Sequence, residues 1–175
     1  SLPKREIICG YAEILKHSLI KNKYFFIYLK KNIKNIFKLR SPYIEKAIYE
    51  SCKIKKIIVE KDEKETNIRK TLNFGHTFAH AYEAALGYSK KLNHGEAVLL
   101  GMVSALKFSL KNKYLSAKEY HSITNHIKNN FLPYNLKKFF SKKNINKILS
   151  FMTKDKKNNS NKINLILLKK ISLPI

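Results

Sequence analysis

The 175-residue sequence predicts a mainly α protein: a single multi-helix domain over residues 1–175 with a short C-terminal strand. Three observations predict this fold class. Apolar residues recur at helical spacing through most of the chain, and helix start and stop signals separate these stretches. Near the end, residues 163–168 form a mostly apolar run with the length of a strand.

The first part of the chain predicts three helices. Residues 4–20 and 24–37 both have apolar positions at helical spacing. Ser41 and Pro42 predict the start of a third helix, with Ser41 as N-cap and Pro42 as first helical residue, running to about Val59. Residues 60–70 are polar and charged, which predicts a helix end and a loop.

The second part predicts four more helices and the strand. A helix over 72–86 should end at Gly87, and residues 94–110 are apolar on nearly all sides, so we expect that helix to be central. Ser116 and Glu119 form a capping box for a helix to about residue 130, and a short helix follows at 144–151. Residues 154–162 predict a polar loop. The strand at 163–168 needs a partner in this chain or another one.

The net charge is the most unusual part of the composition. Lys and Arg total 36 against 12 Asp and Glu, for a net charge of +24. Such a charge is typical of proteins that bind nucleic acid or anionic membranes. However, only Arg5, Arg40 and Arg69 are arginines, and nucleic-acid readers rely on Arg for bidentate contacts. The excess of Lys, Ile and Asn instead indicates drift toward AT-rich codons, so nucleic acid is not the expected partner.

Several classes of protein are disfavoured. Cys9 and Cys52 lack the spacing of a thiolate metal site or a disulfide framework. No apolar run approaches the roughly 20 residues of a membrane span, and the N-terminus has no apolar signal-peptide core. We therefore expect a cytoplasmic protein without a membrane partner.

The densest group of polar residues contains two histidines. His76 and His80 are four residues apart, so on a helix they share one face and can ligate one metal ion. Thr77 stands where the HExxH motif of metalloproteases has Glu, which disfavours a protease. Two surface histidines without a metal are the alternative interpretation.

His94 and Glu13 extend this group. An antiparallel helix pair joined by residues 87–93 would bring His94 back toward His76, and a catalytic zinc site needs three protein ligands and an open position. Glu13 lies in an otherwise apolar helical stretch, where a bare carboxylate is costly unless it is paired or binds metal. An intrahelical ion pair with Lys16 is the alternative for Glu13.

Several strings, in order along nearly the whole chain, resemble the C-terminal half of the 3-dehydroquinate synthase family. Near the N-terminus they are LPKRE at residues 2–6 and GYAEILK at 10–16. The central region between Ser51 and Glu83 includes DEKE at 62–65 and LNFGHT at 72–77. HGEAV at 94–98 and DKK at 155–157 complete the set.

This resemblance implies a metal-dependent, NAD-using lyase of the shikimate pathway with a dehydroquinate synthase-like fold. The family converts 3-deoxy-D-arabino-heptulosonate 7-phosphate to 3-dehydroquinate and phosphate by oxidation, phosphate elimination, reduction and intramolecular aldol closure. The implied metal is Zn²⁺ (or Co²⁺), with Glu13, His76 and His94 as ligands. The implied substrate-binding and catalytic residues are Lys16, Lys55, Glu65, Arg69, Asn73 and His80, with Lys156 or Lys157 as a further substrate contact.

The implied NAD site is expected outside this chain. The family's N-terminal half is Rossmann-like with a Gly-rich loop, whereas this sequence has five glycines and no GxG cluster. That half then belongs to the missing part of a longer chain, is a separate polypeptide, or has been lost in a relic. The other implied partners are a small anionic sugar phosphate and a second copy in a homodimer. We expect the chain to be inactive without the NAD-binding half.

Three departures from the family pattern are visible. Ala79 stands where Gly is usual, His17 and Ser18 replace Tyr-Gly, and Ser172 replaces Gly near the end. None removes an implied metal ligand. The alternatives are a related sugar-phosphate cyclase or metal-dependent polyol dehydrogenase and, from another class, a basic helical nucleic-acid-binding module.

Overall fold

The computed structural model describes residues 2–130, 132–154 and 163–175, which form seven α-helices and one two-stranded sheet and so confirm the mainly α fold class. The α-helices are α1 (Lys4–Lys21), α2 (Lys23–Phe37), α3 (Tyr43–Lys61), α4 (His76–Ala85), α5 (His94–Lys111), α6 (Ala117–Asn129) and α7 (Ile145–Thr153). Short 3₁₀ helices lie at Ile68–Asn73, Leu136–Lys138 and Lys142–Asn144. Within the described ranges, no helix has the length and apolar character needed to cross a bilayer.

Helix α5 lies at the centre of the domain. Its residues 97–106 are all buried, as its nearly continuous apolar sequence predicts. Helices α4 and α1 pack against α5, α6 also contacts it, and α7 packs against α4. Helices α1, α2 and α3 also pack against one another. The three helices that carry the predicted metal ligands are therefore neighbours.

Helix starts follow the predicted capping signals in one case and not in another. The Ser116 hydroxyl accepts a hydrogen bond from the Glu119 amide at 3.2 Å, which confirms the predicted start of α6. The predicted Ser41 cap of α3 is wrong, because that helix begins at Tyr43 without a side-chain cap. The Arg40 carbonyl accepts from the amides of Tyr43 and Ile44, so the first turn needs no serine hydroxyl.

The predicted single helix over 72–86 is also wrong. Residues Ile68–Asn73 form a 3₁₀ helix and α4 begins only at His76. Gly75 between them has a left-handed backbone with φ of 81°, which cannot continue either helix. A Cβ on Gly75 would lie 2.7 Å from the Met102 amide nitrogen, so this turn also allows close approach to α5. The break places His76 at the first position of α4.

The C-terminal segment forms a hairpin within the chain. Strand β1 (Leu168–Lys170) pairs antiparallel with β2 (Leu173–Pro174), so strand structure begins five residues later than predicted and finds its partner in this chain. The Ser172 amide donates to the Leu19 carbonyl at 2.8 Å, and the Leu168 amide donates to the Ser109 hydroxyl at 3.0 Å. The hairpin is thereby attached to α1 and α5.

Candidate metal centre and substrate site

Three of the residues predicted from the sequence meet at one place. Glu13 lies in the middle of α1, and His76 and His94 are the first residues of α4 and α5. One ligand atom from each lies within 4.8 Å of the other two, and His76 Nε2 is 3.7 Å from Glu13 Oε1. One carboxylate and two imidazoles at this separation can hold a divalent ion with a position left open.

Two glycines of α5 allow its neighbours to approach. A Cβ on Gly95 would lie 2.3 Å from Cα of Cys9 in α1, and a Cβ on Gly101 would lie 2.1 Å from the Gly75 carbonyl oxygen. No larger residue fits at either position without moving a helix. Ala79, where the family usually has Gly, is fully buried, and its amide nitrogen would be 3.1 Å from a Cβ on Gly101. The convergence of the three ligands therefore depends on these contacts.

The carboxylate of Glu13 fits a bound cation. Its Oε2 accepts a hydrogen bond from Lys16 Nζ at 2.7 Å, which realises the predicted ion pair. In the part of the chain that the structure describes, its Oε1 is buried without a hydrogen-bond partner and faces His76. A buried carboxylate oxygen is costly without a partner, and a divalent ion between Glu13 and the histidines would supply one. The ion pair and a metal ligand role are thus compatible.

Burial and charge keep these groups in the forms that bind metal. Burial, followed by the Lys16 ammonium, lowers the pKa of His76 to about 3, so its imidazole is neutral. Burial would raise the pKa of Glu13, but Lys16 offsets this and the net shift is downward. Neutral imidazole and ionised carboxylate are the ligand forms that Zn²⁺ and Co²⁺ take.

His94 is held by a residue that the sequence analysis did not single out. Its Nδ1 lies 3.2 Å from both carboxylate oxygens of Glu83 on α4. This hydrogen bond raises the pKa of His94, with burial opposing it. Glu83 follows His76 by seven residues and His80 by three, and this spacing is the signal that places it on the same helix face.

The start of α5 is fixed by a second ion pair. Glu96 accepts from the Asn93 amide at 2.8 Å and from Arg5 Nη2 at 2.6 Å. Arg5 also donates to the carbonyls of Lys90 and Lys91, so it connects the start of α1 with the loop before His94. Asn93 and Glu96 have capping-box spacing, which is a sequence signal for the start of α5.

His80 lies beside the three candidate ligands without joining them. Its ring centroid is 5.6 Å from that of His76 and 6.2 Å from that of His94. The cluster that could hold a metal comprises Glu13, His76 and His94 among the described residues. Sequence spacing alone had paired His76 with His80, whereas the fold pairs His76 with two distant residues.

Glu65, Arg69 and Asn73 lie on the segment between α3 and α4. Asn73 Nδ2 donates to Glu65 Oε1 at 2.6 Å, and Glu65 has a left-handed backbone with φ of 56°. The Arg69 guanidinium donates to the Glu63 carbonyl. The 3₁₀ helix of this segment packs against α1 and α3. The structure thus brings Glu65 and Asn73 together beside the helix that carries Glu13.

One carboxylate organises this segment. Asp62 accepts hydrogen bonds from the amides of Thr66, Asn67 and Arg69 at 2.7–2.9 Å. These bonds, led by the one from Arg69, lower the pKa of Asp62 to about 2. Asp62 stands at the end of α3, and an Asp side chain that binds backbone amides a few residues later is a common turn pattern.

The predicted lysines differ in their surroundings. Lys16 is buried beside Glu13, whereas Lys55 is exposed on α3. His17 Nδ1 and Ser51 Oγ are 2.7 Å apart and join α1 to α3 one turn before Lys55. Burial, then Lys16, lowers the pKa of His17 to about 4, and the Lys55 charge contributes to this shift. Lys156 and Lys157 lie outside the described residues.

The fold and these residues define a class of protein: a helical domain with a carboxylate–imidazole cluster suited to a divalent metal. A protein-family model described as 3-dehydroquinate synthase C-terminal matches residues 10–158. The chain belongs to this family.

Several curated relatives carry the name 3-dehydroquinate synthase. The protein of Pelagibacter ubique (strain HTCC1062) is 62% identical over 175 residues, covering 100% of this chain and 48% of the relative. That of Alkaliphilus metalliredigens (strain QYMF) is 39% identical over 167 residues, covering 95% and 46%. The chain therefore spans about half the length of the curated relatives it matches.

Several solved structures share the fold. A 2-epi-5-epi-valiolone synthase from Streptomyces hygroscopicus subsp. jinggangensis 5008, with NAD⁺ and Zn²⁺ bound, matches 100% of this chain and 48% of its own with a TM-score of 0.87 and 19% identity. A 2-deoxy-scyllo-inosose synthase complexed with carbaglucose-6-phosphate, NAD⁺ and Co²⁺ matches 100% and 48% with a TM-score of 0.78 and 22% identity. At these identities the likeness concerns the fold alone.

Proposed function

We propose that this chain is the metal- and substrate-binding half of a 3-dehydroquinate synthase. This lyase would convert 3-deoxy-D-arabino-heptulosonate 7-phosphate to 3-dehydroquinate and phosphate in the shikimate pathway. The observation that carries the proposal is the convergence of Glu13, His76 and His94 in a chain whose relatives have this name.

In this proposal Glu13, His76 and His94 hold a Zn²⁺ or Co²⁺ ion. The ion, when bound, would supply Lewis acidity toward the substrate hydroxyl that NAD oxidises. The donor set supports this assignment, because Glu13 Oε1 is buried, has no hydrogen-bond partner in the described ranges and faces His76.

The surrounding polar residues bind and orient the substrate. Lys16, Lys55 and Arg69 supply positive charge for a ligand that carries a carboxylate and a phosphate. Glu65 and Asn73 are hydrogen-bonded to each other and orient substrate hydroxyls. His80, whose ring lies 5.6 Å from that of His76 and 6.2 Å from that of His94, exchanges a proton with bound substrate. Lys156 or Lys157 supplies a further contact.

The reaction requires a second half that binds NAD. The relatives are about twice as long as this chain, which supports an N-terminal NAD-binding half as its partner. We infer that the chain alone is inactive, and that the complete protein is a cytoplasmic homodimer. A related sugar-phosphate cyclase is the second candidate, because solved structures with the same fold are named as synthases of other products, 2-epi-5-epi-valiolone and 2-deoxy-scyllo-inosose.

Fusing this chain behind the N-terminal half of the Pelagibacter ubique relative tests the proposal. The fused protein, given NAD and Zn²⁺, should release phosphate from 3-deoxy-D-arabino-heptulosonate 7-phosphate and form 3-dehydroquinate. The variant His94→Ala should lower the rate at least about 100-fold, since it removes one ligand of the Lewis acid. His121→Ala, which removes an exposed histidine of α6, is the matched control and should leave the rate unchanged.

Two results would contradict the proposal. Turnover of a sugar phosphate without a carboxylate, and none of the heptulosonate, would favour the related cyclase. Equal rates for wild type and His94→Ala would show that the proposed metal site takes no part in the reaction.

A further inference from the structure

We propose that Glu83 is a positioning residue that orients His94 for metal binding by accepting the proton on its Nδ1. This inference rests on the proposed metal site. Glu83, on α4, would act on the ion only through the imidazole of His94, on α5.

The two histidine ligands are held in different ways. His76 is 14% exposed, and among the described residues its Nδ1 has a long 3.4 Å contact with the Phe74 carbonyl oxygen. His94 is 51% exposed at the first turn of α5, where packing restrains its ring less. A specific hydrogen bond therefore matters more for the orientation of His94 than for that of His76.

Glu83 has the geometry to supply that hydrogen bond. Its side chain is 13% exposed, and both carboxylate oxygens lie 3.2 Å from His94 Nδ1. Glu83 belongs to the same helix as His76, two turns later. The helix therefore fixes the distance between the Glu83 carboxylate and the three candidate ligands. A carboxylate acceptor also binds an imidazole N–H more strongly than a neutral carbonyl does.

The contact decides which nitrogen of His94 can bind metal. Because Nδ1 donates to Glu83, the lone pair of the neutral ring is on Nε2. In His76, Nε2 is the ring nitrogen that lies 3.7 Å from Glu13 Oε1. The two histidines thus offer the same ring nitrogen, Nε2, to the metal. The hydrogen bond to the Glu83 carboxylate also increases the basicity of His94 as a ligand.

Cobalt binding to the fused protein defined above tests this role. Co²⁺ bound by the wild type should give visible absorption bands, and Zn²⁺ should displace it. In Glu83→Gln the Co²⁺ affinity should fall by roughly 10- to 100-fold and the bands should shift, with the melting temperature nearly unchanged. Glu60→Gln removes an exposed carboxylate of α3 and is the matched control, with affinity and bands like wild type.

A second measurement needs no variant. In the Zn²⁺-loaded wild type, nitrogen NMR of His94 should show the proton on Nδ1 and the metal on Nε2. The reverse assignment would overturn the proposal, even if Glu83→Gln proved too unstable for titration.

The outcomes separate this inference from the proposed function. If the wild type binds Co²⁺ and His94→Ala does not, the metal site stands. Within that result, a Glu83→Gln affinity within threefold of wild type and unchanged bands would refute the role of Glu83. If wild type and His94→Ala fail alike to bind Co²⁺, both the metal site and this inference fail.

Discussion

The three proposed metal ligands stand on helices that pack closely, whereas Glu65, Arg69 and Asn73 lie on the irregular segment between α3 and α4. The first group is positioned by glycine contacts at α5 that leave no space for a methyl group. The segment that carries the second group is held by hydrogen bonds from the amides of Thr66, Asn67 and Arg69 to the carboxylate of Asp62. The comparison indicates that the positions of the proposed metal ligands depend on core packing, while the segment that carries the proposed substrate-binding residues depends on one carboxylate.

Of the changes predicted, replacing Gly101 should have the largest effect, because it disturbs the packing that positions the proposed metal ligands. A Cβ there would overlap the Gly75 carbonyl, so Gly101→Ala must push α5 away from the start of α4 and His76. We expect a loss of at least about 3 kcal/mol in the free energy of unfolding, measured by urea denaturation, and weaker Co²⁺ binding. Gly10→Ala is the matched control, because a Cβ at Gly10 meets nothing within 4 Å and alanine favours a helix.

Acid should loosen the helical framework before it loosens the Asp62 segment. His126 Nε2 is 2.6 Å from Tyr11 Oη in the core, and burial, followed by Lys30, lowers the pKa of His126 to about 4. Since this pKa lies below the ordinary value near 6.5, the contribution of His126 is present above pH 6.5 and is lost as pH falls toward 4. The contribution of Asp62, whose pKa is about 2, is lost only below about pH 4.

Denaturation curves across pH measure this order. Between pH 7 and 5, titration of His126 should lower the free energy of unfolding by about 2 kcal/mol. His126→Phe should remove that share of the pH dependence. An identical slope in wild type and His126→Phe would contradict the assignment.

Replacing Asp62 should disturb the segment between α3 and α4 and leave the proposed metal ligands in place. Asp62→Asn keeps the shape but removes the charge that three amides share, so Glu65 and Arg69 lose their fixed positions. In the fused protein we expect the KM for substrate to rise about tenfold, with Co²⁺ affinity within twofold of wild type. Glu63→Gln, on an exposed neighbour, should change neither value. A parallel fall in Co²⁺ affinity would show that the two regions are not held independently.

The smallest effect concerns the C-terminal hairpin. Ser172, where the family usually has Gly, has a left-handed backbone with φ of 74° and a buried hydroxyl without a partner among the described residues. Ser172→Gly should raise the free energy of unfolding by about 0.5–1 kcal/mol, since glycine adopts this conformation without strain. Ser172→Ala keeps the strain and is the control. Equal stability of both variants would show that the backbone angle is not the cause.

Local signals in the sequence were sufficient for most helices. The apolar residues of α5 and the cap at Ser116 act within a few positions of each other, so they could be predicted without the fold. Ser41 and the stretch over 72–86 could not be predicted correctly. In both cases the outcome depends on backbone contacts, from the Arg40 carbonyl and at Gly75 against α5, that periodicity does not encode.

By itself the sequence determined the mainly α class, the central helix and the candidate ligands. Only the tertiary structure decided that His76 lies near Glu13 and His94 as a three-residue cluster, with His80 beside it and Glu83 behind His94. The physical reason is the range of the interactions. Helical periodicity reflects hydrogen bonds between residues four apart, whereas the cluster needs close contact between α1, α4 and α5 at Gly95 and Gly101.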